Sequence, residues 1–265
     1  MARNDDGRVL YGFWFSPYMS AVAQVLEESG LDYTYQRVSP FQGATHTAEH
    51  TRRNPVGKVP SLEEADGLLV SDSQAICRYL ARVYPEVRPL YPCDDPRRCA
   101  EIDGVSDFIT FSISGPFFNW LVVGGYFPNA FKYKTEAESA TFSHWSMLMI
   151  GDALTRLLGG AKMEPYLFGS ELTLPDINLF HILALGKTLT ELFDMPMIDI
   201  ASGNPQLSAF YDAMAERPVS QGILSRQAAE LPTSRKELFE EFGPAYADRL
   251  APGRGLLEAM FGHEV

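Results

Sequence analysis

The chain has 265 residues, 46% of them hydrophobic and 21% charged, which suits one or two domains around a substantial core. Its 34 acidic residues against 22 basic ones give a formal net charge of −12, which argues against nucleic acid and anionic membrane surfaces as partners. Three cysteines, Cys77, Cys93 and Cys99, make no disulfide framework, and "CDDPRRC" lacks both metal-ligand spacing and a nearby histidine, so free thiols in a reducing cytoplasm and no metal are expected.

No basic patch followed by an apolar run marks a leader, and no apolar stretch is long enough to span a bilayer. Residues 8–15, "RVLYGFWF", are β-branched and aromatic and predict a buried strand. Ser16-Pro17 stops it, since Ser suits the N-cap and Pro the first helical position. A helix follows over "PYMSAVAQVLEESG", with Met19, Val22, Val25 and Leu26 on one stripe and Gly30 as its stop. "LDYTYQRVS" alternates as a second strand, and "FQGATHTAEHTRR" is polar, a loop and then a short helix. "VPSLEEADGLLVS" predicts two short strands around Ala65-Asp66-Gly67, with Gly67 supplying positive φ. "DSQAICRYLARVYP" predicts a helix with Ala75, Ile76, Tyr79, Leu80 and Val83 facing inward.

The order is β-α-β-α-β-β-α over residues 1–85. Residues 86–96, with three prolines, predict a linker. From 97 the strand signals fade. Apolar-periodic segments at 97–124, 135–160, 175–192 and 205–229 predict an all-helical domain over 97–230. Ser114-Gly115-Pro116 is expected to break or kink the first of these. Thr173 and Asp176 match a capping box, which makes Asp176 structural. Residues 231–265 alternate short helical patches with Gly and Pro and predict a tail packed on the helical domain.

The strand that begins Val59-Pro60 suggests a cis peptide bond. Such a turn can present a backbone N–H and C=O to an extended peptide that joins the sheet edge as one more strand. Pro60 has no donor, so the pairing falls to Val59. Asp72-Ser73 sits where the next helix begins, and free N–H groups and the positive dipole end gather there. A carboxylate would be held by those groups and the Ser73 hydroxyl, with an ammonium beside Asp72. The pattern points to a small zwitterionic α-amino acid head on an extended backbone.

"RNPVGKVPSL", "SDSQAICRYLARVYP", "LTLPDINL" and "AFYDAMAERPVSQ" together resemble the glutathione transferases over roughly residues 8–225. The wording is most similar to the phi class, and Ser16-Pro17-Tyr18 is also similar to bacterial β-etherases that cleave aryl ethers with glutathione. The resemblance implies a thioredoxin-like N-terminal domain and an all-helical C-terminal domain. It implies glutathione as co-substrate on the first, a pocket for a small hydrophobic electrophile between the two, a homodimer, and a detoxifying transferase. It implies that Ser16 activates the thiol and that Val59 and Pro60 meet the cysteinyl backbone. Asp72 and Ser73 would meet the γ-glutamyl end, and Lys58 and His46 the glycine carboxylate.

By residue type alone Ser16 is also a plain N-cap, and Tyr11, Tyr18 and Ser20 compete for its role. Tyr11 reads as core, Tyr18 as pocket wall, and Ser20 lies one turn into the helix. No Cys precedes Pro17, which excludes a mixed disulfide at this turn. Phe108, Phe111, Phe117, Phe118, Trp120, Tyr126 and Phe127 at helical spacing read as core, but the break at 114–116 would open room beside Ser16. Tyr18, Phe111, Phe118 and Asn119 are the expected acceptor-pocket residues. His50 reads as exposed loop, and His144 and His181 as satisfied core or surface histidines. Two other functions fit the same residues: a glutathione-dependent lyase, β-etherase or dehalogenase on one metabolite, and a non-catalytic binding protein.

Overall fold

The computed structural model describes residues 7–120, 136–160, 163–193 and 204–242. Strands β1 (Val9–Gly12), β2 (Thr34–Arg37), β3 (Ser61–Glu63) and β4 (Leu69–Ser71) form one sheet in the order β2-β1-β3-β4. β1 runs parallel to β2 and antiparallel to β3, and β3 pairs antiparallel with β4. Helices α1 (Pro17–Glu28), α2 (Ala48–Arg53) and α3 (Ser73–Val83) complete the predicted order. The hairpin turns through Gly67 at φ 86°.

Met19, Val22, Val25 and Leu26 of α1 are buried as expected. Each contributes roughly 1.5–3 kcal/mol relative to exposure. Two local expectations are corrected. The strand expected over 8–15 pairs only as far as Gly12, because its partner ends at Arg37 and Ser39-Pro40 carries that chain away. The buried face of α3 is Ser73, Ile76, Cys77, Leu80 and Ala81, while Ala75 and Val83 are exposed. Three of those five, Ser73, Cys77 and Ala81, are small.

The second domain holds α4 (Pro96–Phe108), a π-helical turn (Ile109–Ser114), α5 (Gly115–Asn119), α6 (Glu136–Gly160), α7 (Leu174–Phe193), α8 (Pro205–Ala215) and α9 (Pro218–Phe242). At the expected break the helix widens instead. Gly115 N–H donates to Thr110 C=O five residues back, and Pro116, which has no N–H to donate, follows it. The segment expected as one helix over 205–229 is two, divided at Arg217-Pro218, where Pro218 disfavours helical backbone in the residue before it.

α9 runs on through Pro232, so residues 231–242 are helix and not a separate tail. Nor is this stretch confined to the helical domain. Arg37 donates to both Glu237 oxygens at 3.0 and 2.8 Å, and Ser39 donates at 2.8 Å, tying α9 to the end of β2. Residues 243–265 lie outside the described residues, as do Tyr126, Phe127 and the side chain of His144.

α1 packs on α3, α7 and α9 and so sits between the two domains. Gln24 joins three helices there, donating to Ser220 at 3.0 Å and accepting from His181 Nε2 at 2.8 Å. Across the domain boundary Arg78 of α3 donates to Asp103 at 2.7 Å and Asp107 at 3.1 Å on α4. Among the described residues no helix is long and apolar enough to cross a membrane.

Candidate active site

The sheet register gathers the predicted residues at one end. Tyr11 of β1 lies opposite Ser61, and Ser61 lies opposite Ser71 of β4. The chain leaving β1 toward Ser16, the Pro60 that opens β3, and the Asp72-Ser73 that follows β4 therefore emerge side by side. Gly12 makes this end compact, since a Cβ there would fall 2.5 Å from Met19 and 3.8 Å from Val59.

The Val59–Pro60 bond is cis. Among the described residues the N–H and C=O of Val59 have no partner, so this peptide edge is open to an added strand. What fixes the turn is a pair that the sequence reading passed over. The Lys58 carbonyl accepts from Asn54 Nδ2 at 2.9 Å and from His50 Nε2 at 2.8 Å. Since a carbonyl only accepts, Nε2 carries the His50 proton. His50 is buried, correcting its expected place in an exposed loop. The signal was its position three residues before Arg53 on the buried side of a short helix.

The Lys58 side chain is exposed and makes no ion pair among the described residues. His46 is exposed too, with its ring against Gly57: a Cβ at Gly57 would lie 2.7 Å from the imidazole. That contact and φ 67° both require glycine there. Lys58 and His46 thus flank the cis turn and supply cationic or donor groups at its outer rim.

Asp72 caps α3 from φ 75°, an unusual conformation for a non-glycine residue, with Oδ1 accepting from Gln74 N at 3.0 Å and Ala75 N at 3.1 Å. The helix start therefore offers fewer free donors than expected: Asp72 has taken two of its first three N–H groups. The Ser73 N–H and hydroxyl remain, together with the second Asp72 oxygen. Gln74 adds a buried side-chain oxygen without a partner in the same turn.

Ser16 is the N-cap of α1, buried, and accepts a long bond from Met19 N at 3.4 Å. Among the described residues its own proton meets no acceptor. The hydroxyl is thus free to donate at the positive end of a twelve-residue helix. Its competitors are committed elsewhere. Ser20 donates to Trp14 C=O at 3.2 Å. Tyr11 is core, donating to Glu63 at 2.7 Å beneath the Arg53 guanidinium, which lies 4.1 Å from its ring.

Tyr18 faces the helical domain. Its hydroxyl is 2.5 Å from the Ser114 hydroxyl in the π-helical turn, and its ring is 5.0 Å from that of Phe118. Burial pushes the Tyr18 phenol up to about 12, so it stays protonated and can donate. Of the residues expected at the acceptor pocket, Tyr18 and Phe118 lie together, and Ser114 joins them as an unforeseen polar neighbour. Asn119 is exposed, and so is Phe111, at 74%. Phe117 and Trp120 are core, as expected. A separate cavity of about 540 Å³ between α4 and α6, lined by residues such as Val105, Phe108 and Phe168, contains none of the expected glutathione-site or acceptor-pocket residues.

Residues 10–88 match the family description "Glutathione S-transferase, N-terminal domain", and residues 125–220 match "Glutathione S-transferase, C-terminal domain". Glutathione S-transferase 3 of Zea mays is 31% identical over 218 residues, covering 80% of this chain and 90% of its own. Glutathione S-transferase Z2 of Arabidopsis thaliana is 29% identical over 229 residues, covering 85% and 94%. Among solved structures, a glutathione transferase homologue from Sulfitobacter with bound glutathione is similar at TM-score 0.66 and 19% identity, covering 83% of this chain and 97% of its own. Isozyme E7 from Drosophila melanogaster is similar at TM-score 0.67 and 23% identity, covering 89% and 97%. Those two likenesses bear on the fold, while the domain matches and the maize relative bear on descent. Together they make this chain a member of the glutathione S-transferase family, enzymes whose co-substrate is glutathione.

Proposed function

We propose that Ser16 activates the glutathione thiol and that the enzyme transfers it to an apolar or aromatic electrophile. The observation that carries this reading is the uncommitted Ser16 proton at the start of α1, beside the open Val59 edge. The cysteinyl backbone pairs with Val59, the γ-glutamyl end meets Asp72 and Ser73, and the glycine carboxylate lies toward Lys58 and His46. The thiol then reaches Ser16, whose hydroxyl donates to the sulfur. That hydrogen bond and the helix dipole favour the thiolate, the nucleophilic form. The thiolate attacks the electrophilic carbon, a C–S bond forms, and the leaving group departs with its electron pair.

The Tyr18–Ser114 hydroxyl pair favours a second, narrower reading. A protonated phenol in an apolar wall can donate to a departing oxygen, which suits ether cleavage on one metabolite. A homodimer is part of the proposal: Trp145, Leu148 and Met149 expose one apolar face of α6, and Phe111 is exposed on the π-helical turn packed against it. Three free cysteines suit a reducing cytoplasm.

The test is a UV titration of bound glutathione against pH, wild type beside Ser16→Ala. The expected result is a bound-thiol midpoint well below that of free glutathione, lost in the variant, with turnover down roughly 10²-fold or more. A variant with the wild-type midpoint would remove Ser16 from the mechanism. Activity on a generic aryl halide separates the broad reading from the narrow one.

A further inference from the structure

We propose that α9 positions the Ser16 turn, and that Glu230 is its principal positioning residue. This rests on the Ser16 reading above. The sheet ladder ends at Gly12, so the peptide groups of Trp14, two residues before Ser16, need partners elsewhere. α9 supplies both. Trp14 N–H donates to Glu230 Oε1 at 2.9 Å. Trp14 C=O accepts from the Ser20 hydroxyl at 3.2 Å, and that hydroxyl in turn accepts from Gln227 Nε2 at 2.9 Å.

The side chain is held by the same turn of helix. The Arg226 guanidinium lies 4.7 Å from the Trp14 ring, and Tyr35 packs on it at 5.1 Å. The other Glu230 oxygen accepts from the Tyr35 hydroxyl at 2.7 Å, with Arg37 Nε at 3.4 Å. Arg226 and Glu230 thus grip Trp14 directly, and Gln227 does so through Ser20. The space left among Trp14, Phe15, Pro17, Leu185, Thr188 and Gln227 is about 10 Å³, no more than a single water requires.

The consequence reaches the hydroxyl directly. Ser16 N–H donates to Phe13 C=O at 3.0 Å, closing a tight turn around Trp14 and Phe15. A displaced Trp14 moves Ser16, and a donor misplaced by about 1 Å loses on the order of 10² in rate. Glu230 touches neither thiol nor acceptor; it acts through the turn.

Arg217 provides the control. It sits just before α9 and binds both oxygens of Glu28 at 2.8 and 2.6 Å, docking the helix without touching Trp14. The experiment measures the bound-thiol midpoint, turnover and glutathione KM in Glu230→Ala, Glu230→Gln, Arg217→Gln and Ser16→Ala. The expected result for Glu230→Ala is a midpoint raised by roughly one pH unit and turnover down about tenfold, with KM within about twofold. Glu230→Gln, which keeps an acceptor for Trp14 N–H, recovers most of both. Arg217→Gln lowers the melting temperature and leaves the midpoint in place. The inference is overturned if Glu230→Ala keeps the wild-type midpoint, or if Arg217→Gln raises it equally, since α9 would then only join the domains. A wild-type midpoint in Ser16→Ala removes the serine reading by itself. If Glu230→Ala still shifts the midpoint in that case, α9 positions another group of the same turn.

Discussion

α3 and α7 both begin with an aspartate that accepts backbone N–H groups, yet the two carboxylates stand in different surroundings. Asp72 is exposed at the sheet end, and one of its oxygens takes Gln74 N and Ala75 N. Asp176 is fully buried and takes Leu167 N at 2.7 Å, Thr173 N at 2.8 Å and the Thr173 hydroxyl at 2.6 Å. The Asp176 bonds tie an incoming loop to its helix and leave nothing for a ligand. Asp72 stiffens its helix with half its carboxylate and keeps the other half outward, beside the open edge of Val59. The same local chemistry is structural in one place and available for binding in the other, and exposure decides which.

The largest test of that contrast is Asp176→Ala. Three buried donors lose their acceptor at once, and the expected loss is about 3–5 kcal/mol of unfolding free energy. Asp72→Ala, on a solvated cap, loses about 1 kcal/mol. Urea unfolding of the two variants beside wild type measures both. Equal losses would erase the distinction between the caps.

A second test uses acid. Burial pushes the Asp176 carboxyl up from 3.8 to about 6, with hydrogen bonds from Thr173 and Leu167 pulling the other way. The folded state then holds this proton more tightly than the unfolded chain, so the contribution of Asp176 favours folding at low pH and declines as pH rises from about 4 to about 6. His181 behaves oppositely. Burial lowers it from 6.5 to about 3, so its contribution is complete above 6.5 and is lost as pH falls toward 3. In wild type the two slopes oppose each other. Asp176→Asn is expected to leave a stability that rises with pH across that window more steeply than wild type, by roughly 1–3 kcal/mol. His181→Gln is expected to leave one that rises less or falls. Wild-type slopes in both variants would mean that neither group titrates as its burial requires.

The α3 end of the contrast was legible in the sequence because its signals are local. Ser16-Pro17, Val59-Pro60 and Asp72-Ser73 each mark a chain reversal or a helix start without reference to distant residues, and the strand order then brings them together. What escaped depends on long range or on changed geometry. The early end of β1 depends on where its partner β2 stops, and the grip on Trp14 depends on Glu230, 216 residues away; a strand propensity over "RVLYGFWF" registers neither. Phe111 and Phe118 are both expected at the acceptor pocket, and seven residues of regular α-helix, two turns, would put them on one face. The intervening π-helical turn changes the angle per residue, and Phe118 packs on Tyr18 while Phe111 faces outward. His50 reads as exposed loop from the polarity of its stretch, whereas the Lys58 carbonyl just before the cis bond takes its donor from the buried His50 ring.

The smallest expected change in stability gives the cleanest separation of cap from ligand site. Asp72 holds φ 75°, where glycine is unstrained, and glycine as an N-cap costs only a few tenths of a kcal/mol. Asp72→Gly is therefore expected to unfold within about 0.5 kcal/mol of wild type, relief of backbone strain offsetting the lost side-chain cap. The same change removes the carboxylate proposed to face the γ-glutamyl ammonium. A charge-assisted bond of about 1.5–3 kcal/mol corresponds to roughly a tenfold or greater loss of glutathione affinity. Turnover at saturating glutathione should hold within about twofold, because Ser16 lies on another element. Calorimetric binding to Asp72→Gly, with Asp72→Asn as the variant that keeps the cap and loses the charge, separates the two roles. Undiminished affinity in both would make Asp72 a helix cap and nothing more, and the α3 and α7 starts would then differ only in exposure.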